Sequence, residues 1–150
     1  MNQRQTYNAL NRLLTILERS LSMYLSYASP WLQTGDEKAV TALSHIVDEQ
    51  KRLAARVAEL VLERGPMDLG EYPHEFYDLH DLSLDFLLNK LVEYQKRDVA
   101  ALEKSVEELQ SDRAAASVAE EALGAARGHL ETLEELAAEL GNSSSRWLVS

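Results

Sequence analysis

Four long stretches in which apolar residues recur every three or four positions constrain the fold of this chain more than any other feature. This spacing places the apolar side chains on one face of an α-helix, and such a face is stable when it is buried. The stretches, which we name helices A to D, cover roughly residues 4–33, 37–64, 81–110 and 113–140. They predict an all-α fold in which the helices bury their apolar faces against one another.

The connection between helices B and C differs from the other two. Short turns, QTGDE (33–37) and Ser111-Asp112, separate A from B and C from D. The segment GPMDLGEYPHEFYDLHD (65–81) begins with a helix-ending Gly-Pro pair and is long and irregular. A four-helix bundle with one long crossover between its second and third helices is the ferritin-like arrangement. A structured loop on an up-down-up-down bundle is the alternative.

Length, charge and cysteine content narrow the class of protein. The chain has 150 residues, which is enough for a single domain with an apolar core. Gly141-Asn142 is a typical end for helix D, so we expect one domain of residues 1–141 and a C-terminal tail of residues 142–150. A net charge of −10 disfavours binding to nucleic acid. The absence of cysteine excludes disulfides, iron–sulfur clusters and thiol catalysis.

We expect neither a signal peptide nor a membrane span in this sequence. Residues 1–14, MNQRQTYNALNRLL, lack the long apolar run and the cleavage site of a signal peptide. No window approaches the ~18 uninterrupted apolar residues that a membrane span requires. We therefore expect a soluble, cytoplasmic protein with no membrane partner.

Polar residues that interrupt the inward faces are the candidates for function in a helical bundle. Glu18 in helix A, Glu49 in helix B and His129 in helix D each lie among apolar residues at helical spacing. Buried carboxylates must be neutralised, either by a metal ion bound to carboxylate and imidazole groups or by ion pairs and hydrogen bonds. A single Glu at the edge of a leucine stripe also commonly extends its carboxylate into solvent.

Helix C has polar residues both on its apolar stripe and at the edge of that stripe. Its apolar stripe continues through Gln95 and Asp98, whereas Glu93 and Tyr94 lie at the edge of that stripe. The spacing alone leaves open whether Glu93 or Tyr94 faces the bundle interior.

Two segments resemble bacterioferritins and their ferritin-like relatives. DEQKRLAARVAELVLERGPMDL (48–69) is similar to the helix that carries Glu-x-x-His in that family and ends in a Gly-Leu-Pro-type turn. ARGHLETLEEL (126–136) is similar to the last helix of the family, in which a second Glu-x-x-His precedes a Leu- and Glu-rich stretch. The resemblance implies a ferritin-like four-helix bundle with a di-iron site. The ligands would be a Glu on helix A, Glu-x-x-His on B, a Glu on C and Glu-x-x-His on D.

This chain departs from the ligand set that the resemblance implies. Glu18, Glu49 and His129 match the ligand positions on helices A, B and D. Arg52 stands at the His position of helix B, and Ala126 stands at the Glu position of helix D. An arginine brings a permanent positive charge and only hydrogen-bond donors to a place where a cation would bind.

Two further positions can be compared with the family, namely the helix C ligand and the haem ligand. Glu93 is nearest to the Glu position of helix C, although alignment on Leu91 places Tyr94 there. The haem-ligating Met of the family, which follows the helix B Glu, is here Gln50, so we expect no haem.

We therefore expect a degenerate di-iron site in which Arg52 supplies the positive charge of the lost metal. It would form an ion-pair cluster with Glu18, Glu49 and Glu93. Such a protein would hold no cofactor, would not be an enzyme and would act through contacts with an unidentified protein partner. Homodimerisation through helices A and B is expected from the resemblance.

Metal binding remains the alternative. Glu18, Glu49 and His129 could hold iron, manganese or zinc in an altered ferritin-like oxidoreductase or iron-handling protein. The pair His45 and Glu49 would also suit a hemerythrin-like bundle, but such a bundle needs more than the four histidines present.

Overall fold

The computed structural model describes residues 2–28, 37–79 and 84–149, without the side chains of residues 28, 84–85 and 140–149. These ranges contain helices and no strand, so the all-α prediction is confirmed. A 3-10 helix, His74–Asp78, lies in the crossover segment. The α-helices are α1 Gln3–Glu18, α2 Leu21–Ala28, α3 Glu37–Leu62, α4 Leu84–Glu108 and α5 Arg113–Val149.

The predicted helix A is broken between α1 and α2 by a serine. Ser20 is buried, and its Oγ accepts a hydrogen bond from the Met23 backbone N–H at 3.2 Å. The same hydroxyl donates to Gln50 Oε1 on α3 at 3.0 Å. A serine that accepts from a backbone N–H three residues later caps a new helix, so α2 starts with its own N-terminus. The part of helix A predicted beyond residue 28 lies outside the described residues.

The last helix is longer than its sequence predicts. Helix α5 continues through Gly141 and Asn142 to Val149, so this pair does not end it. No glycine in the described residues has a positive φ, so none adopts the left-handed conformation of a C-cap. A glycine inside a helix costs only about 1 kcal/mol relative to alanine, which a long helix tolerates.

Two apolar clusters establish the directions of the helices. One cluster joins α1 to the C-terminal halves of α3 and α4 and the start of α5. The other joins α2 to the N-terminal halves of α3 and α4 and a later part of α5. The chain therefore passes from the first cluster to the second along α1 and α2 and again along α5, and from the second to the first along α3 and α4. Representative members are Leu10, Val61, Leu109 and Val118 in the first cluster, and Leu25, Leu43, Leu87 and Leu133 in the second.

Neighbouring helices are antiparallel throughout this arrangement. Helix α1 packs against α3 and α4, and helix α5 packs against the same two. Helices α3 and α4 are therefore diagonal to each other and parallel. The chain between them has to return along the length of the molecule, which accounts for the long segment after α3.

That segment is fastened to α1 by polar contacts rather than by a helix of its own. The contacts follow α1 from its N-terminus to its C-terminus, so the crossover runs beside it in the same direction. Beyond them, Tyr24 of α2 packs against Tyr72 and Phe76 with ring centroids 5.2 and 5.7 Å apart. The polar contacts are Tyr7 Oη donating to the Pro66 carbonyl at 2.5 Å, the Asp68 N–H donating to Asn11 Oδ1 at 2.9 Å, and Arg19 Nε donating to the Gly70 carbonyl at 2.8 Å.

Arg64 and Asp112 join the end of α3 to the start of α5. The Arg64 guanidinium lies 2.8 Å from Asp112 Oδ2, and both side chains are largely buried. Asp112 Oδ1 accepts the Ala115 N–H at 3.1 Å and so caps α5. No described helix combines the length and apolar character needed to cross a membrane.

Replacing Ser20 with alanine should lower the free energy of unfolding by about 1–2 kcal/mol, because α2 loses its cap and Gln50 loses a buried donor. Urea denaturation of the wild type and the variant measures the difference. The matched control is Ser26→Ala, which removes an exposed hydroxyl that donates to the Met23 carbonyl at 2.8 Å. Equal destabilisation by the two variants would contradict a special role for Ser20.

Candidate functional site

Between the two apolar clusters lies a layer of buried polar side chains, which we call the polar layer: Ser20, Gln50, Gln95 and His129. It draws one residue from each of four places in the chain, namely the start of α2 and the middles of α3, α4 and α5. Besides the bond between Ser20 and Gln50, Gln95 Nε2 donates to the Ala126 carbonyl at 3.0 Å. The layer thus connects neighbouring helices through the centre of the molecule.

Helical phase explains which residues enter the layer. On α3 the buried positions include Val47, Gln50, Ala54 and Val57, which recur every three or four residues. Gln50 is therefore central and only 5 % exposed, whereas Glu49 lies at the edge with its side chain 42 % exposed. The sequence pattern predicts that Glu49 faces inward between Ile46 and Leu53. The spacing of apolar residues does not distinguish a helical position from its neighbour one residue away, and the structure buries Gln50 instead.

Glu49 nevertheless reaches the layer through His129. Nε2 of His129 lies 3.1 Å from Glu49 Oε1, and the imidazole is buried. Burial lowers the pKa of His129, and the nearby Glu49 carboxylate opposes that shift. Near neutral pH the ring is therefore uncharged, with Nε2–H donating to Glu49. Nδ1 is buried and has no hydrogen-bond partner among the described residues.

An internal cavity lies beside His129. Its walls include Leu17 of α1, Gln50 of α3, Gln95 and Asp98 of α4, and His129 of α5. The volume that the centre of a water molecule can occupy in it is about 10 Å³. This is a small space in the middle of the molecule with a mostly apolar wall, into which four polar side chains project, namely Gln50, Gln95, Asp98 and His129.

Asp98 is the acidic group of this cavity. Burial raises its pKa from 3.8 to about 7, and within the described residues no side chain forms an ion pair with it. The resemblance pointed to Glu93 on helix C and not to Asp98, although Asp98 is the acidic residue that lines the cavity. The signal was present in the sequence, because Asp98 lies on the stripe that runs from Leu91 through Gln95 to Leu102.

Arg52 does not enter the interior. Its side chain is 75 % exposed, and Nη2 forms a loose i,i+3 ion pair with Glu49 Oε2 at 3.9 Å, which is beyond hydrogen-bonding distance. Glu93 pairs on its own helix with Lys90 at 3.5 Å and with Arg97 at 2.9 Å. The structure therefore differs from the predicted ion-pair cluster. The physical reason is that Arg52 and Glu93 lie on outer faces, where water solvates their charges.

Glu18 is half-buried at the C-terminus of α1. It is near enough to Tyr72 of the crossover to interact with its hydroxyl electrostatically. Its carboxylate makes no ion pair within the described ranges. Across those ranges no group of three His, Asp or Glu side chains is arranged to hold a metal ion. Of the predicted ligands, the structure brings Glu49 and His129 together and leaves Glu18 elsewhere.

Tyr94 packs under the crossover instead of facing the layer. Its ring meets Phe76 edge-on at 5.2 Å, and the Arg97 guanidinium lies 4.7 Å from its centroid. The residue that points inward from this turn of α4 is Gln95, which is 3 % exposed.

A surface groove of about 490 Å³ lies over the Glu49–His129 pair, between α3 and α5. Arg56 and Glu121 face each other across it with a nitrogen–oxygen distance of 2.5 Å. Glu49 forms part of the same groove. This carboxylate thus has one side toward the buried imidazole and one side toward solvent.

Comparisons with protein-family models, with curated proteins and with solved structures found no match for this chain. The interpretation of the site therefore depends on its own geometry and on the sequence resemblance.

The stability of the protein should fall as pH rises, because the pKa of Asp98 is raised from 3.8 to about 7 in the folded state. A raised pKa means that the folded state binds this proton more tightly. The stabilisation is complete below the unfolded pKa of 3.8 and is lost as pH rises through about 7. Each unit corresponds to about 1.4 kcal/mol, so the change should amount to a few kcal/mol.

The variant Asp98→Asn should remove most of this slope, since an amide does not titrate. Urea denaturation over a series of pH values measures it. Asp48→Asn, an exposed substitution on α3, is the matched control and should keep the wild-type slope. An unchanged slope in Asp98→Asn would contradict the assignment.

Proposed function

We propose that this chain is a ferritin-like bundle without catalytic activity, in which hydrogen-bonded polar groups occupy the position of the di-iron site. The observation that carries the proposal is the polar layer of Ser20, Gln50, Gln95 and His129. Hydroxyl and amide groups predominate in it, and they satisfy one another or backbone carbonyls. Buried groups of this kind need no metal to neutralise them.

The arrangement of helices supports the ferritin-like part of the proposal. One long crossover joins parallel, diagonal helices α3 and α4, while the other connections are between antiparallel neighbours. A single long crossover of this kind is characteristic of ferritin-like folds. Ala126, at the position where the resemblance implies a carboxylate, is buried and leaves the layer without that ligand.

A non-catalytic bundle would act through protein contacts, and we propose a cytoplasmic homodimer as its first assembly. The resemblance implies an interface on the outer faces of α1 and α3. The exposed acidic surface, with a net charge of −10 for the chain, suits protein rather than nucleic-acid partners.

A second candidate function is metal binding in an altered oxidoreductase or iron-handling protein. The observation that favours it is the Glu49–His129 pair, whose 3.1 Å separation places a carboxylate beside an imidazole. Carboxylate and imidazole groups are common ligands of zinc, manganese and iron, so this pair could supply two ligands of a metal site.

Elemental analysis and thermal unfolding distinguish the two candidates. We expect less than stoichiometric metal in the purified protein and no rise in Tm when ferrous iron, manganese or zinc is added, because the described residues contain no group of three or more His, Asp or Glu side chains that could hold a metal ion. Binding to the folded state alone would raise Tm with metal concentration. Stoichiometric metal that is lost in both Glu49→Gln and His129→Gln would overturn the first candidate and establish the second. Glu93→Gln, which changes an exposed carboxylate, is the control.

The dimer is tested by sedimentation over a range of protein concentrations. Ala55→Arg, on the exposed face of α3, should shift the equilibrium toward monomer, because a bulky charge would be buried at the interface. Ala100→Arg, on the exposed face of α4, is the matched control and should leave it unchanged. A protein that sediments as a monomer at every concentration would contradict the dimer.

A further inference from the structure

Nδ1 of His129 is a buried acceptor without a donor. The Nε2–H group is directed at Glu49, so in the neutral ring Nδ1 carries a lone pair. This atom has no hydrogen-bond partner among the described residues. A buried acceptor left unpaired costs about 1–3 kcal/mol, so native proteins nearly always provide a partner.

The wall of the adjoining cavity supplies a donor. Asp98 lines the same cavity as His129, and burial raises the pKa of its carboxyl group to about 7. At a pH below this pKa the group is mostly a carboxylic acid, whose O–H can donate a hydrogen bond. The groups that face it are uncharged on every adjoining helix: Leu17 from α1, Gln50 from α3, and Ala126 and neutral His129 from α5.

The cavity has the size for one water molecule, and its mostly apolar wall carries polar groups that can hold one. About 10 Å³ is open to a water centre, which is close to the minimum for a single molecule. A buried water also needs two to four polar partners, and His129, Asp98 and the two glutamine amides provide that number.

We propose that this cavity binds one water molecule, which donates a hydrogen bond to His129 Nδ1 and accepts one from the Asp98 carboxyl group. The water completes a hydrogen-bonded chain from Asp98 through the imidazole to Glu49. Because Glu49 borders the groove between α3 and α5, the chain connects a half-buried acid on α4 with that groove. The inference does not depend on the proposed function, since the water is held by the same side chains whatever partner the protein has.

A high-resolution crystal structure of the whole chain, grown at a pH just below the Asp98 pKa of about 7, tests the proposal. We expect one water within about 3 Å of both His129 Nδ1 and an Asp98 carboxyl oxygen. A direct bond between Asp98 and Nδ1, a cation in the cavity, or a cavity without ordered water would each overturn it.

Nitrogen NMR of the labelled protein provides a second test that needs no variant. The His129 ring should show a protonated Nε2 and an unprotonated Nδ1 that accepts a hydrogen bond. A protonated Nδ1 would overturn the proposal.

Paired substitutions at Asp98 separate hydrogen bonding from simple packing. Asp98→Asn keeps a donor, so its crystal structure should retain the water and its Nδ1 resonance should stay close to that of the wild type. Asp98→Leu removes the donor and fills space, so the water should be lost and the Nδ1 resonance should shift toward that of a free acceptor. Retention of the same water in Asp98→Leu would overturn the role of Asp98.

Discussion

The polar layer is the constraint on which the rest of this structure depends. A polar group that is buried without a partner costs about as much as several favourable contacts contribute, so the helices must meet in the register that pairs these groups. Ser20 reaches Gln50, Gln95 reaches the carbonyl of Ala126, and His129 reaches Glu49. Each bond joins two different elements, so sliding one helix along another would leave a donor or acceptor unpaired. Purely apolar contacts on either side of the layer would tolerate such a shift more easily.

The layer also explains the shape of the first helix. A serine in the middle of an apolar stripe can remain in the helix, or its hydroxyl can form a hydrogen bond with a nearby backbone group that interrupts the helix. Ser20 does the second, and its hydroxyl then lies where Gln50 needs a donor. The break between α1 and α2 is close to Arg19, which holds the Gly70 carbonyl and stacks on Tyr72 at 4.9 Å. The same corner thus fixes the direction of α2, the polar layer and the path of the crossover.

The candidate site illustrates how far a sequence resemblance reaches. It directs attention to the middle of the helices, where Glu49 and His129 lie 3.1 Å apart, and both residues interrupt apolar stripes in the sequence. It did not identify Gln50 or Asp98 as the inward groups of the site, because a motif assigns ligand positions and not the phase of this helix packing. It also overestimated Arg52, since a long charged side chain one position from the buried face can turn to solvent. Exposure of 75 % shows that solvation wins at this position.

What the sequence by itself determined is the all-α class, the approximate extent of α3 and α4, and the presence of one long connection after α3. These follow from local physics, namely apolar periodicity and the helix-ending Gly-Pro pair, which act over a few residues. Only the tertiary structure decided that Ser20 breaks the first helix, that Gly141 does not end the last, and that Gln50 rather than Glu49 is the central polar residue of α3. Those outcomes depend on partners distant in sequence, because a serine caps, a glycine stays helical and one of two adjacent polar residues is buried according to what packs against it.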